Sequence, residues 1–295
     1  MEGEKVVVNR RRREELQGFI ADELFKAMGM RPDGWQRRIF GPLVSVPTRR
    51  FAELVTRFEA NVSECGLQIA CEKVLDEFVE GVKVRGVQHV PIEGPLLVVS
   101  NHPGAYDGLV LLANLPREDL KFVVSGVPLT QAVPILQERL IFTTEDVHER
   151  MSAARGSIRH LRTGGAILLF PGVLVEPDPA CMSGATQTLS RWSASVEMMA
   201  RRVSDLQVVV AIVSGVIYPR YLRHPLTYLG KTAWQRQRLA EYFQVMGQLV
   251  FTKKYPLLPY VTFSEPILTC EVDSNCVLKL IQDRARQLLD LHPIQ

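Results

Sequence analysis

From Gly81 onward the chain repeats one pattern: a short apolar run rich in β-branched residues, then a longer stretch with helical spacing. Val82 to Gly86, Pro95 to Ser100, Lys121 to Ser125, Leu140 to Thr143, Ala166 to Phe170, Leu206 to Val213 and Tyr260 to Ser264 read as strands. Helical stretches lie between them near 105–115, 148–163, 185–203 and 232–249, and a last helix runs from about Asp273 to Leu291. Unbroken apolar runs such as Leu96-Leu97-Val98-Val99 suit strands covered on both faces. This alternation restricts the chain to an α/β fold with a mostly parallel central sheet flanked by helices.

The first 80 residues have a different texture. Leu16, Phe19, Ile20, Leu24, Phe25 and Met28 follow the spacing of one apolar helix face, closed by Gly29 and Pro32. A second helix is expected over Gly34 to Leu43 with a break around Pro47. A third opens at Phe51, Leu54, Val55 and Phe58, and a fourth carries Leu67 to Val79. The expected organisation is an N-terminal helical region, 1–80, docked on an α/β domain, 81–295, without a low-complexity linker.

A chain of 295 residues with 46% hydrophobic residues can bury a sizeable core. A net charge of +3 argues against a general polyanion binder, so no nucleic-acid partner is expected. The charge is uneven: Arg10 to Arg13, Arg37-Arg38 and Arg49-Arg50 are either a solvated face or a patch over residues 10–60 that contacts an anionic membrane. Five cysteines lack any CxxC or metal-type spacing, which fits reduced, mostly buried thiols in the cytoplasm. No window reaches the ~18 apolar residues of a membrane span, so the protein reads as soluble or peripheral.

The stretch LLVVSNHPGAYDGLVLL, residues 96–112, places His102 and Asp107 at the seam between a buried strand and an apolar helix. Inside one helix the two side chains would diverge by about 140°. With Pro103 at the first helical position and His102 at the cap, His102 can lean over the first turn to Asp107. A carboxylate on one imidazole nitrogen fixes the tautomer and stabilises the imidazolium. The other nitrogen can then take a proton from a hydroxyl. No GxSxG elbow supplies a nucleophilic serine, so that hydroxyl would belong to the substrate. Spacing alone also permits a plain helix cap with an acidic residue in the first turn.

The block NHPGAYD, with its preceding strand PLLVVS and following apolar helix, resembles the Asn-His-x-x-x-x-Asp block of the glycerolipid acyltransferase superfamily, the glycerol-3-phosphate and 1-acylglycerol-3-phosphate acyltransferases. VPILQERLIFTT, AILLFPG and VVVAIVSG then follow in the order of the family's later blocks, and the resemblance covers roughly residues 80–270. It implies an enzyme that moves a fatty acyl group from acyl-CoA or acyl carrier protein to a hydroxyl of a glycerol-phosphate or lysophospholipid-like acceptor. His102 would be the base and Asp107 its orienter, with no cofactor or metal. Asn101, Gly104, Thr143, Phe170, Pro171 and Gly172 would line the substrate site. The family's second block ends in a phosphate-facing arginine, absent after Thr143, and Arg139 is the substitute expected here. The third block has Gly172 where the family has glutamate, and Glu176 is expected to stand in. A lipid- or acyl-binding protein without turnover and a thioesterase are the alternative readings.

Overall fold

In a computed structural model the structure describes residues 14–22, 35–125, 133–144, 146–172, 174–251, 255–273 and 276–292. The strands are β1 (Lys83–Arg85), β2 (Leu96–Ser100), β3 (Lys121–Ser125), β4 (Leu140–Thr143), β5 (Ala166–Leu169), β6 (Gln207–Ser214), β7 (Tyr260–Phe263) and β8 (Ile267–Leu268). The main helices are α1 (Trp35–Phe78), α2 (Asp107–Asn114), α3 (Val147–Arg162), α4 (Ser195–Ala200), α5 (Ala233–Phe251) and α6 (Val277–Leu289).

One sheet runs in the order β1-β7-β6-β2-β5-β3-β4, with β8 pairing β6. Strands β2 to β6 are parallel, whereas β7 and β8 run antiparallel to β6. Mostly parallel pairing and helices on both faces match the expected fold class. The alternation of side chains along each strand divides the core. Leu96, Val98, Val209, Ala211 and Val213 face α1, α2 and α5, whereas Leu97, Val99, Val208, Val210 and Ile212 face α3, α4 and α6. Strand β2 lies at the centre of this double packing, and all five of its residues are buried.

Residues 35–78 form two helices that meet at Gly66, with φ +86° and ψ 168°, between the expected third and fourth segments; the break expected around Pro47 is absent. Glycine reaches that left-handed conformation without a Cβ penalty. The two arms lie side by side, with Arg57 bonded to Glu77 at 2.8 Å and Lys73 to Asn61 at 3.1 Å. Leu67, Cys71, Val74, Leu75 and Phe78 join the same apolar cluster as Val110 and Val209. The helical region therefore shares a core with the sheet. Residues 14–22 are helical and Leu16 packs with Ala52, Val55 and Val133, while Arg10 to Arg13 lie outside the described residues.

The helix expected over 185–203 is divided into short turns and α4, separated by extended backbone at Trp192. Trp192 is buried there and its indole is engaged by Glu176, so tertiary contacts override the local helical pattern. The thiols are less buried than composition implied: Cys71 is buried, but Cys270 and Cys276 are exposed. No described helix is long and apolar enough to cross a membrane.

Candidate active site

Strand β2 carries the chain to the carboxyl edge of the sheet, where open α/β sheets form ligand crevices. Asn101 is fixed first: its side-chain amide donates to the Val213 carbonyl at 2.9 Å, and its Oδ1 accepts from the Val213 amide at 2.8 Å. This double bond ties the end of β2 to β6 and sets where His102 emerges.

His102 Nδ1 meets Asp107 Oδ2 at 2.7 Å. The route differs from the sequence expectation. Helix α2 begins at Asp107 and not at Pro103. Residues 104–106 form a turn, closed when the Gly104 amide donates to Asp107 Oδ2 at 2.9 Å. Asp107 Oδ1 also accepts from the Gly108 amide at 2.5 Å. A carboxylate at a helix start suits the positive end of the helix dipole. The oxygen that meets the imidazole, Oδ2, thus also closes the turn that lets His102 reach back, while Oδ1 is held at the helix start.

His102 is half-buried and Asp107 buried. The Phe170 ring packs on the imidazole, with centroids 4.7 Å apart. Nδ1 is committed to Asp107, and among the described residues Nε2 has no hydrogen-bond partner. Burial opposes the imidazolium, but the charge and hydrogen bond of Asp107, with a smaller contribution from Glu241, outweigh it and raise the His102 pKa above 6.5.

The chain after β5 crosses the same edge. The Glu176 amide donates to the His102 carbonyl at 2.8 Å, and Glu176 Oε1 accepts from the Trp192 indole at 2.6 Å. Burial pushes the Glu176 carboxyl up to about 7. Gly172 lies against this carboxylate: a Cβ there would be 2.5 Å from Glu176 Oε1 and would displace it. Phe170, Pro171, Gly172 and Glu176 are thus all close to the His102 loop or to one another. Asp178, fully buried, accepts from the amides of Ala180, Gly215, Val216 and Ile217 at 2.8–3.0 Å and clasps this loop to the end of β6.

Two predicted residues are not brought to His102. Arg139 precedes β4 and therefore sits at the amino edge of the parallel sheet, where its guanidinium donates to the Glu118 carbonyl. His102 follows β2 and sits at the opposite edge. Arg139 therefore does not replace the missing phosphate-facing arginine. Thr143 ends β4 at the correct edge, but β5 and β3 intervene between its strand and β2, a separation of about 14 Å at ~4.8 Å per strand.

Helix α5 supplies residues that no motif announced. Gln237, Glu241, Gln244 and Gln248 form a buried polar stripe at helical spacing. Gln237 donates to the carbonyls of Pro103 and Glu176 at 2.8 and 2.7 Å. Gln248 accepts from the Tyr106 hydroxyl and donates to the Phe78 carbonyl. Glu241 is 6% exposed and lies against Gly104, where an added Cβ would be 3.6 Å from its carboxyl carbon. Among the described residues its Oε1 has no hydrogen-bond partner, and Arg238 approaches Oε2 only to 3.8 Å. Burial pushes its carboxyl up to about 8. Among the described residues no cluster of His, Cys, Asp and Glu has the makings of a metal site.

No protein-family model and no curated protein matches the chain. Among solved structures, the chain is similar to the 1-acyl-sn-glycerophosphate (LPA) acyltransferase PlsC from Thermotoga maritima, with 14% identity and a TM-score of 0.45 over 96% of this chain and 97% of that one.

Proposed function

We propose that the protein is an acyltransferase that moves a fatty acyl group from a thioester, acyl-CoA or acyl carrier protein, to a hydroxyl of a glycerolipid-type acceptor. The observation that carries this reading is the 2.7 Å bond between His102 Nδ1 and Asp107 Oδ2, at the carboxyl end of a central parallel strand. His102 Nε2 takes the proton of the acceptor hydroxyl as its oxygen attacks the thioester carbonyl. Asp107 holds the imidazole in the tautomer this needs and offsets the charge of the imidazolium. When the tetrahedral intermediate collapses, the carbon–sulfur bond breaks and the thiolate recovers the proton from His102. The products are one ester and one thiol, with no acyl-enzyme.

The acids and Phe170 around His102 and the remote position of Arg139 favour a lysophospholipid-like acceptor over one with a free phosphomonoester. A peripheral position on a membrane would bring the enzyme to such an acceptor. The test is thiol release from palmitoyl-CoA with purified protein, alone and with glycerol-3-phosphate, lysophosphatidic acid or neutral lysolipids. Release that requires a lysolipid, greater with one lacking a free phosphomonoester than with lysophosphatidic acid, is the expected result. Release without any acceptor would replace this reading with a thioesterase, and binding without release would replace it with a lipid carrier.

A further inference from the structure

The sequence has no aspartate or glutamate between Asp205 and Glu241. Within that interval lie Arg220, Arg223, Lys231, Arg236 and Arg238, all exposed. Among the described residues no carboxylate pairs with Arg220, Arg223 or Lys231. Leu226, Tyr228, Leu229 and Trp234 are exposed in the same nine residues, Leu229 at 75% and Tyr228 at 61%. No other stretch of ten described residues exposes more than two large apolar side chains. Single exposed apolar residues are ordinary, whereas a cluster of them on a cationic ground marks an interaction surface. Tyr218, Pro219, Arg220, Arg223, His224 and Pro225 line an open hollow of about 540 Å³ in the same segment.

We propose that the surface from Tyr218 to Arg238 docks on an anionic phospholipid bilayer, with lipid headgroup phosphates in the hollow lined by Arg220 and Arg223. Leu226, Tyr228, Leu229 and Trp234 enter the interfacial layer, where aromatic rings and aliphatic side chains partition favourably. The Arg236 guanidinium lies 5.4 Å over the Tyr228 ring, so charge and apolar surface are presented together. Charge complementarity commits the surface to an anionic bilayer: the segment brings five exposed cations and no carboxylate of its own.

The cations of the described N-terminal region are used differently. Arg49 reaches Glu53, Arg57 pairs with Glu77, and Arg50 donates to the Leu249 and Val250 carbonyls near the end of α5. The docking surface also borders the candidate site. Trp234 lies one turn before Gln237, which holds the Pro103 carbonyl beside His102. A bilayer at this face would present lipid close to the His102 loop.

The test is co-sedimentation of the full chain with vesicles of phosphatidylcholine alone and of phosphatidylcholine with phosphatidylglycerol. It needs no turnover, so it stands or falls apart from the acyltransferase reading. Sedimentation with the anionic vesicles only is expected. Arg220→Glu with Arg223→Glu should weaken it at least about tenfold, since each surface cation is worth roughly fivefold. Tyr228→Ser with Leu229→Ser should weaken it by a similar factor. Circular dichroism of both variants should match the parent, and turnover of a short-chain soluble thioester should be unchanged. Parent protein left in the supernatant would overturn the proposal. So would variants that sediment like the parent, since the contact would then lie elsewhere. Binding of inorganic phosphate by a protein that stays in the supernatant with the anionic vesicles would mean a small-anion site and would also overturn it.

Discussion

Asp107 and Glu241 are both buried carboxylates beside His102, and they are held in opposite ways. Asp107 takes the imidazole and the amides of Gly104 and Gly108, so both of its oxygens are fixed. Glu241 has one oxygen without a partner and a single loose approach from Arg238. Burial near the same ring therefore gives two different devices. Asp107, the proposed orienter, is built into the turn that delivers the histidine. Glu241 is held at a cost: an unmade hydrogen bond in the interior destabilises by about 1–3 kcal/mol. Its charge reaches His102 through space, without a bond.

The contrast breaks most readily at Asp107. Asp107→Asn should lower kcat by about 10²–10³-fold, because the imidazole loses the partner that sets its tautomer. The pH at which kcat/KM rises should also fall, since the charge that raises the His102 pKa is gone; a pH–rate profile measures both. An inflection that does not move would mean that Asp107 does not act on the base.

Asp178 extends the comparison, because its four amide donors make it a saturated carboxylate with no contact to the imidazole. Asp178→Asn replaces an acceptor oxygen with a donor that faces backbone N–H groups. It should cost about 2–4 kcal/mol in chemical denaturation, with the pH inflection unchanged.

Glu241→Gln should have the smallest effect on turnover, within about tenfold, because Glu241 is assigned no proton transfer with substrate. Its pH inflection should fall less than that of Asp107→Asn. Stability distinguishes it better. The Glu241 carboxyl is raised from 4.5 to about 8, so between those values the folded protein binds more protons here than the unfolded chain. Stability from this group is therefore lost as pH rises from about 4.5 to about 8. The Gln variant should lack that loss and be the more stable protein at pH 8, read as a higher Tm. A Tm gap that is the same at both ends of the range would contradict the assignment.

The sequence made some of this legible and hid the rest for identifiable reasons. The His102–Asp107 pair was readable because a strand end, a proline and an apolar helix bracket it. The helix start was not, since Pro103 at a first helical position and a turn closed by Gly104 and Asp107 share one local sequence. The placement of Arg139 had a readable signal: a residue before a parallel strand lies at the amino edge, and one after it at the carboxyl edge. The continuity of the helix from Trp35 to the break at Gly66 was obscured by Pro42 and Pro47, which it tolerates. Glu241 belongs to no motif, but polar residues at 237, 241, 244 and 248 repeat at helical spacing, and such a stripe on a half-buried helix is itself a pointer.

The central claim is that His102 Nε2 is the base. It is tested most directly by the initial rate of lysolipid-dependent thiol release from palmitoyl-CoA for the parent and for His102→Ala, at equal concentration and with matching circular dichroism. A loss of about 10³-fold or more is expected in the variant, at the upper part of the range for general base catalysis. An undiminished rate in a folded His102→Ala protein would contradict it.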